Sequence, residues 1–140
     1  AVVGATPDGR KAREPLSESI SPSQGRDQKG PTATLMSISS TKCAQYKERA
    51  ARLLNMKLSP ASIEGEPGTR KLMSLIRTAS DMKMWHIQFN IINRDTLLAA
   101  QREPDKYRNL LVRVAGYSAY FVDLTPALQN EIIRRTEHAF

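Results

Sequence analysis

Leu54-Asn55-Met56-Lys57-Leu58-Ser59-Pro60 and His86-Ile87-Gln88-Phe89-Asn90-Ile91 are the two stretches that decide the fold. Each alternates with the two-residue period of a strand. Leu54, Met56 and Leu58 stand against Asn55 and Lys57; Ile87, Phe89 and Ile91 stand against His86, Gln88 and Asn90. Each strand is expected to be apolar on one face and polar on the other. Between them Leu72, Leu75, Ile76 and Ala79 fall at i, i+3, i+4 and i+7, one stripe of an amphipathic helix. A helix of that length suits a crossover between parallel strands. Asn93 or Asp95 can cap a further helix through Gln101, with Pro104 as its break. A third strand is expected at Leu110–Ala115, with Val112 and Val114 on one face and Arg113 on the other, followed by the short apolar stretch Tyr120–Val122. Thr125-Pro126 reads as an N-cap with proline in the first helical position, opening a helix through about Thr136. The order is βαβαβα, an α/β unit.

Toward the N-terminus the character changes. Residues 1–34 hold Pro7, Pro15, Pro22 and Pro31, four of the eight prolines, and Gly4, Gly9, Gly25 and Gly30, four of the seven glycines. Pro7-Asp8-Gly9 is a turn signal, and the polar stretch 25–30 is bracketed by glycines. This predicts an extended, turn-rich arm over 1–34 that lies on a surface other residues provide, and a domain over 35–140. Ser40 to Leu54, rich in Ala, Lys, Glu and Arg, is a helix candidate.

Composition narrows the function classes. The chain has 140 residues, 40% hydrophobic and 25% charged, too apolar for disorder throughout and long enough for one modest core. Its single cysteine, Cys43, excludes a disulfide framework or a multi-cysteine metal site built from this chain alone. No apolar run approaches the roughly 20 residues that span a bilayer. A soluble domain of a reducing compartment is expected, with neither membrane nor metal. The sequence begins at Ala1 rather than Met, inside a turn-rich segment, and reads as a piece of something larger. Neither phosphate-binding glycine motif occurs. His86 and His138 lack a neighbouring ligand pattern, so His86 is read as a hydrogen-bonded structural histidine and Cys43 as a structural thiol despite Lys42 and Lys47 nearby. The net charge of +7 raises the alternative of a small basic nucleic-acid-binding module. The basic residues are scattered and interleaved with acids, as in Arg102-Glu103 and Asp105-Lys106, so a solvated or partner-facing surface is the better reading and no nucleic-acid partner is expected.

One stretch remains: Val112-Arg113-Val114-Ala115-Gly116-Tyr117-Ser118-Ala119-Tyr120-Phe121. From periodicity alone it is a strand, a glycine tip and a short apolar return, a hairpin-like turn whose positive φ glycine supplies at little cost. The same ten residues closely resemble the radical-bearing signature of the glycyl radical enzymes. Pro7-Asp8-Gly9-Arg10-Lys11-Ala12, Gln24-Gly25-Arg26-Asp27, Gly30-Pro31-Thr32-Ala33, Leu54-Asn55-Met56-Lys57 and His86-Ile87-Gln88-Phe89-Asn90 resemble that family's C-terminal region in the same order.

The resemblance implies that Gly116 stores the radical, within a loop at 113–121. Arg113, Ala115, Tyr117, Ser118, Gln88 and Asn90 would support that loop. It implies no bound cofactor, the radical being installed by an S-adenosylmethionine and iron–sulfur dependent activase. It further implies the C-terminal part of a ten-stranded α/β barrel, whose remainder carries the thiyl cysteine; Cys43 does not match that cysteine's loop. The partners expected are then the rest of the barrel, the activase and a small-molecule substrate, in a homodimeric full-length enzyme. The setting would be cytoplasmic, with a bacterial microcompartment as one option. The Gly-Tyr-Ser-Ala-Tyr-Phe form resembles the lyase and dehydratase branches, which cleave C–O, C–N or C–S bonds in a small polar substrate. A free-standing radical repair subunit and a C–C bond-forming or decarboxylating member are the alternatives within the family. On this reading the piece alone is not catalytically competent.

Overall fold

The structure is a computed structural model that describes residues 3–14, 16–23, 25–41, 53–84 and 86–140. Its elements are α1 (Pro31–Ser40), β1 (Leu53–Leu58), α2 (Gly65–Asp81), β2 (His86–Ile91), α3 (Arg94–Arg102), β3 (Leu111–Arg113), β4 (Ser118–Tyr120), α4 (Pro126–Arg134) and β5 (Glu137–His138). Short 3-10 turns precede α2 and follow α3 and β4. Strands β1 and β2 run parallel, with Leu53 opposite His86 and Leu58 opposite Ile91, and α2 makes the crossover. Asn93 caps α3, its side chain accepting the Thr96 N–H at 2.8 Å. Proline opens α4 after Thr125, although the Thr125 side chain makes no capping bond.

Two departures from the sequence reading matter, at α1 and at the third strand. The helix candidate over 40–54 falls mostly outside the described residues, and its last two positions belong to β1. Cys43 also lies outside them. Helix α1 opens at Pro31, inside the stretch whose composition reads as extended. The third strand does not extend the parallel sheet. It is trimmed to three residues and pairs antiparallel with β4, Leu111 opposite Tyr120 and Arg113 opposite Ser118. The place beside β1 is taken by β5, which runs parallel to Lys57 and Leu58 after α4 ends at Arg134. The physical reason lies at Gly116: a two-residue tip returns the chain at once, and antiparallel strands need no crossover.

Two apolar clusters pack on the elements. Leu35, Leu54, Met56, Leu58, Leu75 and Ala79 join α1, β1 and α2. Ile92, Leu97, Ala100, Val112, Val114, Phe121, Ile132 and Ile133 join α3, the hairpin and α4. Ile76, the remaining member of the α2 stripe, is exposed beside half-buried Ile87 and Phe89. The alternation in β2 holds, and its polar face is the more buried one. Its polar residues Gln88 and Asn90 are buried, at 5% and 6% exposure, while Ile91 is exposed. In β1, Lys57 is buried too, its Nζ donating to the Ile133 carbonyl at 3.3 Å. Burial pushes the Lys57 ammonium below its usual range, with Glu137 opposing. The sheet is covered on both faces, as parallel sheets are.

N-terminal residues close the remaining edge of β1. Beyond the two residues paired with β5, the same edge of β1 meets residues 19–21. Ile20 N–H donates to the Leu53 carbonyl, and the Ser19 and Ser21 hydroxyls accept the Leu53 and Asn55 amides. Asp27 anchors the arm again, accepting from the Thr136 hydroxyl and facing His138 Nε2 at 3.1 Å. Burial lowers the His138 pKa, and Asp27 opposes the shift.

Candidate functional site

The polar face of β1 and β2 converges on the β3–β4 hairpin. At the end of β3, two successive carbonyls each receive two donors. Arg113 O accepts from Asn90 Nδ2 at 2.8 Å and from Arg135 Nη1 at 3.3 Å. Val114 O accepts from Arg135 Nη2 at 2.9 Å and from Asn55 Nδ2 at 3.4 Å. Asn90 completes a two-way clasp, its Oδ1 accepting the Arg113 N–H at 2.8 Å. Each carbonyl has two lone pairs, so both are fully used immediately before the tip.

The tip itself is Ala115-Gly116. Val114 N–H donates to the Tyr117 carbonyl at 2.9 Å, closing a two-residue connection. Only Gly116 of the pair has positive φ, at 75°. That sign pattern is the one a type II turn requires, with glycine in the third position. A Cβ on Gly116 would meet nothing within 4 Å. Its amide is nevertheless held, donating to the buried Gln88 Oε1 at 3.2 Å. With that oxygen accepting, Gln88 Nε2 is the donor in its 3.2 Å contact with His86 Nε2. His86 therefore has the hydrogen-bonded structural place that its position on β2 suggested.

Arg135, immediately after α4, binds this assembly to the rest. Nε and Nη2 grip the Glu131 carboxylate at 3.1 and 2.9 Å, a bidentate pair. Nη2 also lies 2.9 Å from Glu18 Oε2 in the arm. Its two hydrogens are directed to Glu131 and Val114, so Glu18 meets the guanidinium as a charge, without a well-aligned hydrogen bond to either carboxylate oxygen. Burial pushes the Glu18 carboxyl above its usual range; Arg135, then the Asn55 amide, oppose the shift, and Glu131 adds to it. A polar cavity of about 40 Å³ adjoins these groups, lined among others by Glu18, Asp27, Asn55, Lys57, Arg135 and His138.

All seven residues read from the sequence as belonging to the loop region are gathered here. Ala115, Gly116, Tyr117 and Ser118 lie exposed along the turn and the start of β4. The half-buried Arg113 side chain donates to Ser118 Oγ at 3.0 Å across the hairpin. Gln88 and Asn90 hold backbone from beneath. Sequence reasoning missed Arg135, Asn55 and Glu18. The only signal for Arg135 was its i, i+4 spacing from Glu131, which ordinarily marks a solvated helix face. Among the described residues, no group of His, Cys, Asp and Glu is placed to hold a metal ion, and no helix is long and apolar enough to cross a membrane.

The sequence model described as "Glycine radical" matches residues 16–122, which span both strands of the β1–β2 pair and the whole hairpin. The chain belongs to the glycyl radical family. It is 61% identical over 137 residues to isethionate sulfite-lyase of Oleidesulfovibrio alaskensis, covering 98% of this chain and 16% of that protein. It is 43% identical to trans-4-hydroxy-L-proline dehydratase of Clostridioides difficile, covering 99% of this chain and 17% of that protein. Among solved structures, the glycerol-bound B12-independent glycerol dehydratase of Clostridium butyricum superposes with a TM-score of 0.87 at 48% identity, over 98% of this chain and 17% of that one. The glycyl radical chain described here thus spans about one-sixth of the length of the relatives it matches, and shares their α/β fold over that part.

Proposed function

We propose that Gly116 stores a carbon-centred radical for a lyase or dehydratase that cleaves a C–O, C–N or C–S bond in a small polar substrate. The observation that carries the reading is the treatment of Gly116: its amide is pinned by buried Gln88 while its Cα stands open at the tip. Removing one α-hydrogen atom, proton and electron together, leaves one unpaired electron on Cα. That electron is shared between the amide nitrogen, which donates, and the carbonyl, which withdraws. Sharing requires a planar centre, and glycine has no Cβ to resist it. An N–H donating to Gln88 pushes electron density onto nitrogen and keeps the amide plane in one orientation. Arg113, Ala115, Tyr117 and Ser118 shape the turn, and Asn90 holds its root. The exposed tip is where an S-adenosylmethionine and iron–sulfur dependent activase would take the hydrogen, and where the thiyl cysteine of the remaining barrel would later meet the radical. The arm at 1–34, the domain at 35–140 and the radical loop at 113–121 are then parts of one C-terminal unit of a ten-stranded barrel, in a cytoplasmic, homodimeric enzyme.

The test is anaerobic electron paramagnetic resonance of the full-length protein after incubation with its activase and a reductant. A glycine-centred doublet, absent from Gly116→Ala, is expected. A doublet that survives the substitution, or silence from the wild-type protein, refutes the assignment.

A further inference from the structure

We infer that Arg135 is a positioning residue for the Gly116 loop, and that its contact with Glu18 ties the loop to the N-terminal arm. The inference rests on the reading of Gly116 as the radical site, and it adds a residue and a linkage that the family signature does not contain. The guanidinium reaches both carbonyls that precede the tip, Arg113 O and Val114 O, at 3.3 and 2.9 Å. Those carbonyls fix the two peptide planes from which the Ala115-Gly116 turn starts. Asn90 and Asn55 approach the same oxygens from β2 and β1. The loop root is therefore held between the sheet and the residue after α4, and of the three side chains Arg135 alone meets both carbonyls and brings a charge to the arm. A fork of five donors in one plane is suited to this task, because no other side chain can bind a carboxylate bidentately and still reach two carbonyls. Arg135 is 11% exposed at the side chain and Glu18 22%, so the pair is screened from solvent. Glu131 neutralises the guanidinium from within α4. Glu18 is a second carboxylate, drawn from over a hundred positions away in sequence, with no well-aligned hydrogen bond to its oxygens. The effect of this second acid is to hold the arm against the residue that holds the loop.

The experiment uses the full-length protein and the variants Arg135→Gln, Arg135→Lys and Glu18→Gln, with amide hydrogen exchange over 110–124 and 86–91 read alongside thermal stability and the radical signal. For Arg135→Gln, exchange over 113–118 is expected to rise by about tenfold, the factor corresponding to the loss of roughly one net hydrogen bond, with 86–91 unchanged and a lower radical yield. Arg135→Lys, which keeps the charge but not the fork, should fall between. Glu18→Gln should loosen 113–118 without lowering the melting temperature, a separation that a purely structural ion pair would not give. Wild-type exchange over 113–118 in Arg135→Gln overturns the positioning role. If that variant does not fold, wild-type exchange in both Arg135→Lys and Glu18→Gln overturns it instead. A wild-type protein that gives no glycine radical refutes the reading of Gly116 itself, and the exchange comparison still decides whether Arg135 holds the loop.

Discussion

Two glycine-to-alanine substitutions test the proposal that Gly116 is kept for chemistry, against Gly68, which is kept for packing. At Gly116 an added Cβ meets nothing within 4 Å, so the cost is the backbone alone. With φ at 75°, an L-residue pays about 1–2 kcal/mol for left-handed geometry. For a chain of this size that is roughly 3–7 °C in Tm. At Gly68, in the first turns of α2, alanine would gain about 1 kcal/mol of helix propensity. However, its Cβ would overlap the backbone of Ile63, carbonyl carbon and Cα included, where no side chain can swing aside. Moving that 3-10 turn also disturbs Ile63 against the cluster of Leu54, Met56 and Leu58. The expected net loss is at least the ~3 kcal/mol of severe overpacking. Circular dichroism melting and anaerobic electron paramagnetic resonance on the same preparations give both readouts. Gly116→Ala should melt within several degrees of wild type and give no doublet. Gly68→Ala should melt far lower, and any fraction that stays folded should keep the doublet. If Gly116→Ala destabilised as severely as Gly68→Ala, the tip would not be open, and loss of the radical would say nothing about chemistry.

Asn90→Leu removes both halves of the clasp on Arg113 and leaves its N–H without the partner it has now; a loss of about 1–3 kcal/mol is expected in denaturant unfolding. Phe121 is fully buried, so Phe121→Ala should cost about 3–5 kcal/mol by the same measurement. His138 is buried with its pKa lowered below the usual 6.5, so the folded state resists protonation more than the unfolded state does. Stability should therefore hold above that usual value and fall as pH drops through the lowered one, by at most ~1.4 kcal/mol per pH unit, a slope that His138→Gln should flatten.

The parallel β1–α2–β2 unit was legible because period-two and helical stripes are local properties of the chain. The cap at Asn93 and the proline start of α4 were legible for the same reason. The pairing of β3 was not. Val112 and Val114 mark a strand, but whether it continues a parallel sheet or folds back is decided by the residues after Gly116, and periodicity is silent there. The two-residue strand β5 was too short to carry any pattern. Gln88 and Asn90 were legible as polar positions on β2, and the resemblance placed them beneath the loop; alternation alone says nothing of how deeply that face is buried. Arg135, Asn55 and Glu18 were invisible because their partners are backbone carbonyls or side chains distant in sequence. Such contacts leave no spacing to read, and the i, i+4 pair of Arg135 with Glu131 says nothing of them.

The buried polar face of β2 is also an argument about purpose. Gln88, Asn90 and Lys57 occupy buried positions where an aliphatic side chain would contribute about 1.5–3 kcal/mol each by burial. The sheet forgoes that stabilisation and must give its buried amides partners, Asn55 Oδ1 being left without one. It does so mainly on one short segment: the Gly116 amide, the Arg113 amide and the Arg113 carbonyl from β2, and the Val114 carbonyl from β1. A hairpin turn of two residues forms without such support, since glycine alone relieves its strain. The bonds therefore do not make the turn possible; they fix its peptide planes while leaving the Gly116 Cα uncovered. Local rules broken at real cost, with most of the compensation directed at one atom's surroundings, mark a site and not a core. The role proposed for Gly116 places an unpaired electron in a planar backbone, and fixed planes around an open carbon are the physical requirement of that proposal.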